Sequence, residues 1–345
     1  MHEAKLYKRL PGGKVRCTAC AHYCEVSPGH SGACGVRKNL RGKLYLLAYG
    51  SPVSVCVDPV EKKPLFHFLP GRRIFSLGTL GCNFGCDFCQ NWDISQAVKL
   101  ARVKRGTGFR EEDLFTETWP PEKIVNYCQA NGIPAVAFTY NEPGILHEWA
   151  LDTFQLAHKK KIRTVYVSNG FSSKEAVKAI APHLDAVNVD LKSFDDGIYR
   201  RVCKSRLQPV LDTIRQYHKL GAWVEVTTLV IPGMNDSSAE LRQIAEFIAG
   251  VGRDVPWHVT AFRPEYRMAD KPPTPLSSLL RARRIGIDAG LRFVYAGNVE
   301  HAESESTFCP KCGKILIRRS GFSVDTLDFN GKCPSCKAPI PGVWK

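Results

Sequence analysis

The sequence lacks the apolar segments that place a protein in or across a membrane. No apolar run of about 18 residues or more occurs among its 345 residues, so no transmembrane helix is expected. The first residues are largely polar, among them His2, Glu3 and Lys5, and do not contain the apolar core of a signal peptide. We therefore expect a cytoplasmic protein without a membrane partner.

The chain also lacks a basic helix with interleaved aromatic residues, which an RNA-binding module would require. Its formal net charge is nevertheless +15. Metal-bound thiolates would offset part of this charge. The remainder indicates either a solvated basic face or a surface for nucleic acid or an acidic protein, so nucleic acid stays open as a partner.

Cysteine, in contrast, is abundant. The chain has 14 cysteines, and most of them fall into three groups. In a reducing compartment, closely spaced cysteine pairs usually bind metal rather than form disulfides. The groups are Cys17, Cys20, Cys24 and Cys34; Cys82, Cys86 and Cys89; and Cys309, Cys312, Cys333 and Cys336. The single cysteines, Cys56, Cys128 and Cys203, are expected to be ordinary core or surface residues.

The middle group has the spacing C-x3-C-x2-C and directly follows a predicted strand over residues 74–80. Three thiolates on one short loop suit an iron–sulfur cluster. A four-iron cube needs four ligands, so this loop would leave one iron free to bind another molecule. A zinc knuckle is the alternative interpretation of Cys82, Cys86 and Cys89.

The outer two groups predict further metal sites. Cys17, Cys20, Cys24 and Cys34 have the spacing C-x2-C-x3-C-x9-C, which allows either a tetrahedral zinc site or an accessory iron–sulfur cluster. Cys309, Cys312, Cys333 and Cys336 have the spacing C-x2-C-x20-C-x2-C, which is typical of a zinc ribbon, with rubredoxin-like iron as the alternative. We also expect residues 42–50 and 52–57 to pair as a hairpin.

Strand and helix patterns alternate after residue 120, which predicts a parallel sheet in an α/β fold. Together with residues 74–80 they give six βα units and one extra edge strand, fewer than the eight units of a closed TIM barrel. Residues 99–120 are polar and predict an irregular insertion over the site. The expected strands cover residues 135–140, 163–168, 186–191, 223–231, 257–262 and 292–296.

The C-x3-C-x2-C loop after the first strand resembles that of the radical S-adenosylmethionine (SAM) superfamily. This resemblance implies a partial (β/α)6 barrel and a [4Fe-4S] cluster whose fourth iron binds the amine and carboxylate of SAM. We accordingly divide the chain into an N-terminal cysteine module with a connector over residues 1–70, a radical SAM barrel over 71–300, and a zinc ribbon over 301–345.

The resemblance also assigns roles to polar residues at the strand ends. Glu142 stands where the family's "GGE" motif binds the SAM amino group, although Tyr140 and Asn141 replace the two glycines. Further cofactor contacts are expected from residues in segments that resemble other family motifs. These residues are Ser168 and Asn169 in a "TNG"-like segment, Asp190 and Lys192 in a D-x-K motif, Ile231 in a "VIPGxND" turn, and His258 on the sixth strand, for which a core histidine is the alternative.

These motifs are most similar to those of pyruvate formate-lyase activating enzymes. The N-terminal cysteines and residues 90–96 are similar to the radical SAM enzyme of the AmmeMemoRadiSam system. The resemblance implies reductive cleavage of SAM to a 5′-deoxyadenosyl radical, which abstracts hydrogen from a substrate that could be a protein. It also implies an electron donor such as flavodoxin or ferredoxin. An RNA-modifying enzyme and a non-enzymatic metal-binding adaptor are the alternatives.

Overall fold

The computed structural model describes residues 1–103, 117–326 and 329–345. The N-terminal part forms two small antiparallel sheets with strand orders β2-β3-β4 and β1-β6-β5. Their strands are β1 (His2–Glu3), β2 (Tyr7–Arg9), β3 (Val15–Cys17), β4 (Glu25–Val26), β5 (Arg37–Leu40) and β6 (Lys43–Leu46).

The predicted hairpin between residues 42–50 and 52–57 is wrong. β6 pairs instead with β5 across a two-residue turn. Both turn residues, Arg41 and Gly42, have a positive φ (54° and 82°), which is the conformation of a tight type I′ hairpin turn. The following strand, β7 (Ser54–Pro59), pairs antiparallel with the first barrel strand.

The main sheet has eight strands in the order β7 to β14, with β7 and β14 at its two ends. β7 is antiparallel, whereas the seven strands from β8 onward are mutually parallel. The parallel strands are β8 (Arg73–Gly78), β9 (Ala135–Phe138), β10 (Arg163–Ser168), β11 (Ala186–Asp190), β12 (Trp223–Val230), β13 (Trp257–Ala261) and β14 (Val294–Gly297). A partial barrel with a seventh parallel strand is therefore observed.

Helices connect the parallel strands, as the alternating pattern predicts. Their buried apolar faces cover the sheet, while the strands themselves are almost entirely buried. The helices are α1 (Trp92–Ser95), α2 (Ala97–Val103), α3 (Pro121–Ala130), α4 (His147–Lys159), α5 (Lys174–Ile180), α6 (Asp196–Ile198), α7 (Leu207–Lys219), α8 (Ser238–Val251), α9 (Leu276–Asp288) and α10 (Ala302–Glu305).

The predicted irregular insertion over residues 99–120 is only partly open to comparison. Residues 99–103 are helical, as part of α2, so the prediction is wrong there. Residues 117–120 contain no helix or strand. The rest of the insertion, residues 104–116, lies outside the described residues.

The C-terminal part forms a three-stranded antiparallel sheet of β15 (Thr307–Phe308), β16 (Ile315–Ser320) and β17 (Ser323–Thr326). Residues 60–69 run between this sheet and the barrel. Their buried side chains Val60, Leu65 and Phe68 pack against Ala135 and other small strand residues. In the residues that the structure describes, no helix is both long and apolar enough to span a bilayer.

Candidate active site

The loop with Cys82, Cys86 and Cys89, which we call the cluster loop, directly follows β8. Cys82 and Cys86 are buried, and Cys89 is half-buried. Backbone hydrogen bonds fasten the loop at both ends: the Gly81 N–H donates to the Ile94 carbonyl over 3.0 Å, and the Gly85 N–H donates to the Cys203 carbonyl over 2.9 Å. The loop is therefore held between α1 and the π-helix Tyr199–Cys203 that follows α6.

The segment after β9 frames this loop. The Asn141 side-chain amide donates to the Gly81 carbonyl over 2.8 Å and to Thr79 Oγ1 over 3.1 Å. Tyr140 has a φ of 69°, in the left-handed region that favours glycine. The resemblance places a family glycine at this position, so the backbone conformation fits that motif although the side chain does not.

Glu142 is fully buried, and three donors converge on its carboxylate. The Gly144 N–H donates over 2.7 Å, the Asn169 N–H over 2.8 Å, and the Ser168 hydroxyl over 2.9 Å. Burial raises the pKa of Glu142 to about 7, although these hydrogen bonds oppose the rise. The structure thus brings together Glu142, Ser168 and Asn169, and an ammonium group would favour the charged form of the carboxylate.

Asn169 links this carboxylate to the cluster loop. Its side-chain amide donates to Asn83 Oδ1 over 2.8 Å, and its Nδ2 lies 3.8 Å from Cys82 Sγ. The Nδ2 of Asn83 is buried and has no hydrogen-bond partner among the described residues. Because buried donors are nearly always paired, this one is a candidate contact for a bound group. The motif comparison did not single out Asn83.

Asp190 and Lys192 form an ion pair beside the cluster loop, with 3.0 Å between Lys192 Nζ and Asp190 Oδ2. Burial alone would lower the pKa of Lys192, but the Asp190 carboxylate and the nearby Cys86 raise it above its ordinary value. The ammonium also lies 5.7 Å from the ring centre of Phe88. A cation is therefore held next to the thiol of Cys86.

Ile231 is buried in the turn after β12. Its N–H donates to Asn235 Oδ1 over 2.7 Å, and Asn235 Nδ2 donates to the carbonyls of Lys192 and Leu229. Asn235 therefore holds this turn against the strand end that carries the D-x-K motif. Asn235 belongs to the segment that resembles "VIPGxND", but its role could not be predicted from the sequence.

His258, expected as a cofactor contact, is the second residue of β13 and has a partner inside the barrel. Its Nε2 lies 2.6 Å from Glu225 Oε2, and both side chains are buried. Glu225 also accepts from the N–H groups of Phe66 and His67. This network favours the interpretation of His258 as a core histidine, which is the alternative that the sequence left open. No sequence signal pointed to Glu225.

The spacing of the three sulfur atoms in the cluster loop fits a multi-iron cluster better than a single zinc ion. Two thiolates that share one zinc ion, each about 2.3 Å from it, lie at most about 4.6 Å apart. The sulfur atoms of Cys82, Cys86 and Cys89 do not all lie within 4.8 Å of one another. Among the described residues, only one other group of three or more potential metal ligands does so. Separate irons of a cluster allow the wider spacing.

The group whose ligand atoms all lie within 4.8 Å of one another is the C-terminal quartet, Cys309, Cys312, Cys333 and Cys336. Sulfur atoms of Cys309 and Cys336 lie 3.5 Å apart, and those of Cys312 and Cys333 lie 3.6 Å apart. The backbone N–H of Cys336 lowers the pKa of Cys333 to about 6, which favours a thiolate. The quartet thus could bind a single metal ion.

The N-terminal quartet lies next to the cluster loop rather than apart from it. Cys17, Cys20 and Cys34 are buried, and Cys24 is half-buried. Cys20 forms a β-bridge with Ser172, three residues after Asn169. This bridge places the N-terminal cysteines against the segment after β10 that carries Ser168 and Asn169.

Comparisons with known proteins agree with this site. Residues 77–248 match the radical SAM superfamily. The chain is 40% identical over 338 residues to an uncharacterized protein of Methanocaldococcus jannaschii, covering 98% of this chain and 97% of that protein. It is 22% identical over 174 residues to the pyruvate formate-lyase-activating enzyme of Clostridium pasteurianum, covering 50% of this chain and 67% of that enzyme.

A third relative is the isethionate sulfite-lyase activating enzyme of Nitratidesulfovibrio vulgaris, which is 26% identical over 128 residues. That match covers 36% of this chain and 41% of the relative. The matched superfamily segment includes the cluster loop, Glu142 and the D-x-K pair. The chain therefore belongs to the radical SAM superfamily of enzymes and is related to its activating enzymes.

Proposed function

We propose that the protein is a radical SAM enzyme that acts on a protein substrate in the manner of an activating enzyme. The observation that carries the proposal is the convergence of the cluster loop, the Glu142 carboxylate and the Asp190–Lys192 pair at the carboxyl ends of neighbouring strands. When bound, the [4Fe-4S] cluster and SAM supply a one-electron cleavage that yields a 5′-deoxyadenosyl radical able to abstract hydrogen.

The residues of the chain then bind the cluster and bind and orient SAM. Cys82, Cys86 and Cys89 hold the cluster through three thiolates. Glu142, fixed by its three donors, accepts from the amino group of SAM, and Asn83 supplies its unpaired amide donor. Lys192 keeps a positive charge beside Cys86, which offsets the negative charge of a thiolate-bound cluster.

Ser168 and Asn169 orient Glu142, and Ile231 offers a buried apolar surface for the adenine. His258 pairs with Glu225, so we assign it a structural role in the barrel rather than a contact with SAM. We assign the protein to the AmmeMemoRadiSam-type branch on the strength of its N-terminal cysteines and residues 90–96. The activating enzymes among its relatives support a protein substrate.

We further propose zinc at Cys309, Cys312, Cys333 and Cys336, because four sulfurs within 4.8 Å suit one tetrahedral ion. A flavodoxin or ferredoxin is the proposed electron donor. A reducing, cytoplasmic setting agrees with the 14 cysteines, none of which forms a disulfide. The RNA-modifying and adaptor alternatives have no comparable support.

The test is anaerobic reconstitution with iron and sulfide, followed by measurement of 5′-deoxyadenosine after addition of SAM and dithionite. The wild-type protein is expected to form 5′-deoxyadenosine. The Cys82→Ala variant is expected to form none, because two thiolates do not hold the cluster. Cys128→Ala is the matched control, since Cys128 is a buried single cysteine in α3, on the helix layer.

The proposal fails if the reconstituted wild-type protein binds iron but forms no 5′-deoxyadenosine. Formation of 5′-deoxyadenosine by Cys82→Ala at the rate of Cys128→Ala would also contradict it. The substrate class is tested separately, by mass spectrometry for hydrogen transfer into 5′-deoxyadenosine from deuterated candidate proteins.

A further inference from the structure

The four N-terminal cysteines lie close together, but their sulfur atoms are too far apart to share one metal ion. The Cys17 N–H donates to the Cys24 carbonyl over 2.9 Å, and the Ala33 N–H donates to Cys24 Sγ over 3.4 Å, so Cys17, Cys24 and Cys34 lie on adjacent segments. Yet no three of their sulfurs all lie within 4.8 Å of one another. Residues 17–34 belong entirely to the described part of the chain.

The C-terminal quartet serves as an internal comparison. The same chain brings those four sulfurs within 4.8 Å of one another, with pairs 3.5 and 3.6 Å apart. Thiolates that share one zinc ion cannot lie more than about 4.6 Å apart. The N-terminal cysteines share with the cluster loop the lack of three sulfurs within 4.8 Å of one another, and this wider spacing suits thiolates that bind different irons of one cluster.

The N-terminal quartet also touches the cluster loop directly. A Cβ atom at Gly81 would lie 2.5 Å from the Cys34 carbonyl oxygen, so the two backbones are in contact there. The His22 ring donates to the Asn83 carbonyl over 2.8 Å. Because consecutive Cα atoms are 3.8 Å apart, the Cys34 carbonyl lies within about 8 Å of the Cys82 Cα.

A buried cation faces the quartet on its inner side. Arg37 is paired with Glu148, and its Nε donates to the Ile145 carbonyl over 2.9 Å. Burial alone would lower the pKa of Arg37, but Glu148, Cys17 and Cys34 raise it. Arg37 therefore lies close to two of the four cysteines, while half-buried Cys24 leaves the outer side within reach of a partner.

We propose that Cys17, Cys20, Cys24 and Cys34 hold a second iron–sulfur cluster, which passes electrons to the cluster on Cys82, Cys86 and Cys89. The electron-transfer role rests on the proposed function, whereas the cluster itself does not. An external one-electron donor of the flavodoxin or ferredoxin class reduces the N-terminal cluster by one electron. That electron then passes to the cluster on Cys82, Cys86 and Cys89, and the N-terminal cluster returns to its oxidised state.

The first experiment counts metals in a variant without the cluster loop thiols. The triple variant Cys82→Ala/Cys86→Ala/Cys89→Ala, purified anaerobically, is expected to keep between about a third and a half of the wild-type iron, for a two-iron or a four-iron cluster. It should also show the electron paramagnetic resonance signal of a reduced cluster. Adding Cys20→Ala and Cys24→Ala to this variant should remove the remaining iron, because two thiolates do not hold a cluster, whereas adding Cys128→Ala should not.

Retention of iron by the triple variant supports the second cluster even if the wild-type protein does not cleave SAM, so the two proposals fail separately. A triple variant with two zinc ions and no iron per chain overturns the second cluster. So does iron that persists after Cys20→Ala and Cys24→Ala are added.

The second experiment tests electron transfer. In the Cys20→Ala/Cys24→Ala variant, the ratio of SAM cleavage driven by reduced flavodoxin to cleavage driven by dithionite is expected to fall at least ten-fold. The small reductant dithionite reaches the cluster loop without the N-terminal cluster. An unchanged ratio would assign the module a purely structural role and overturn the electron-transfer step.

Discussion

At the scale of single residues, Glu142 shows how burial prepares a carboxylate for a cationic ligand. The side chain is out of water, and three donors fix its orientation. Burial still outweighs these donors and raises the pKa of Glu142 to about 7. The free enzyme therefore holds a carboxylate that is poorly stabilised as an anion, and an ammonium group would stabilise it.

The Glu142→Gln variant is expected to bind SAM about 10- to 100-fold more weakly, since a hydrogen bond to a charged group contributes roughly 1.5–3 kcal/mol. Wild-type affinity should also fall as the pH drops below about 7, because protonation removes the charge that the ammonium needs. Titration calorimetry between pH 6 and 8 measures both effects.

Glu246→Gln is the matched control, because Glu246 is exposed on α8. It should bind SAM as the wild-type protein does, with the same pH dependence. Equal affinity of Glu142→Gln and Glu246→Gln, or an unchanged pH dependence in Glu142→Gln, would remove Glu142 from the SAM site.

At the scale of elements, local patterns predicted the strands and helices well, but pairing depended on distant residues. The apolar runs at β9 to β13 and the turn after β12 were readable from sequence because each is local. The pairing of β7 with β8 was not, since alternation alone does not choose a partner. The contact of His258 with Glu225 spans 33 residues and likewise leaves no local sign.

The contact between the N-terminal module and the cluster loop was equally invisible in the sequence, and Gly81 tests it. Gly81 has a φ of 89°, and an added Cβ would overlap the Cys34 carbonyl. Gly81→Ala should therefore lose about 1 kcal/mol to backbone strain and roughly 1–3 kcal/mol more to the overlap. We expect lower iron content after reconstitution and a lower urea midpoint.

Gly132→Ala is the control for backbone strain. Gly132 also has a positive φ, of 59°, but an added Cβ would meet no atom within 4 Å. This variant should lose only about 1 kcal/mol and keep wild-type iron content. If both variants lose the same stability and the same iron, the contact of Cys34 with Gly81 does not support the cluster loop.

At the scale of the whole molecule, residues 60–69 join the barrel to the C-terminal sheet. Glu225 inside the barrel accepts from the Phe66 and His67 N–H groups. From the other side, Arg319 of β16 donates to the Phe66 carbonyl over 2.7 Å. The C-terminal segment makes a further contact with residues 60–69, since the Val343 N–H donates to the His67 carbonyl over 2.7 Å. The C-terminal sheet thus covers one end of the barrel.

This arrangement couples metal binding in the C-terminal sheet to the stability of the barrel. Small four-cysteine modules usually require their ion to fold. Arg319 is fully buried near Glu61, so loss of the sheet would expose the barrel end and leave Glu61 without its nearby cation. Breaking such a buried pair typically costs about 3–5 kcal/mol.

The Cys333→Ser variant should therefore lose one zinc ion per chain, and its apparent Tm should fall by about 5 °C or more. Zinc is measured by mass spectrometry and unfolding by calorimetry. Ser335→Ala, an exposed change in the same knuckle that removes no ligand, should keep both zinc and Tm. If Cys333→Ser loses zinc without a change in Tm, the C-terminal sheet does not stabilise the barrel. If it keeps its zinc, the ion binds elsewhere.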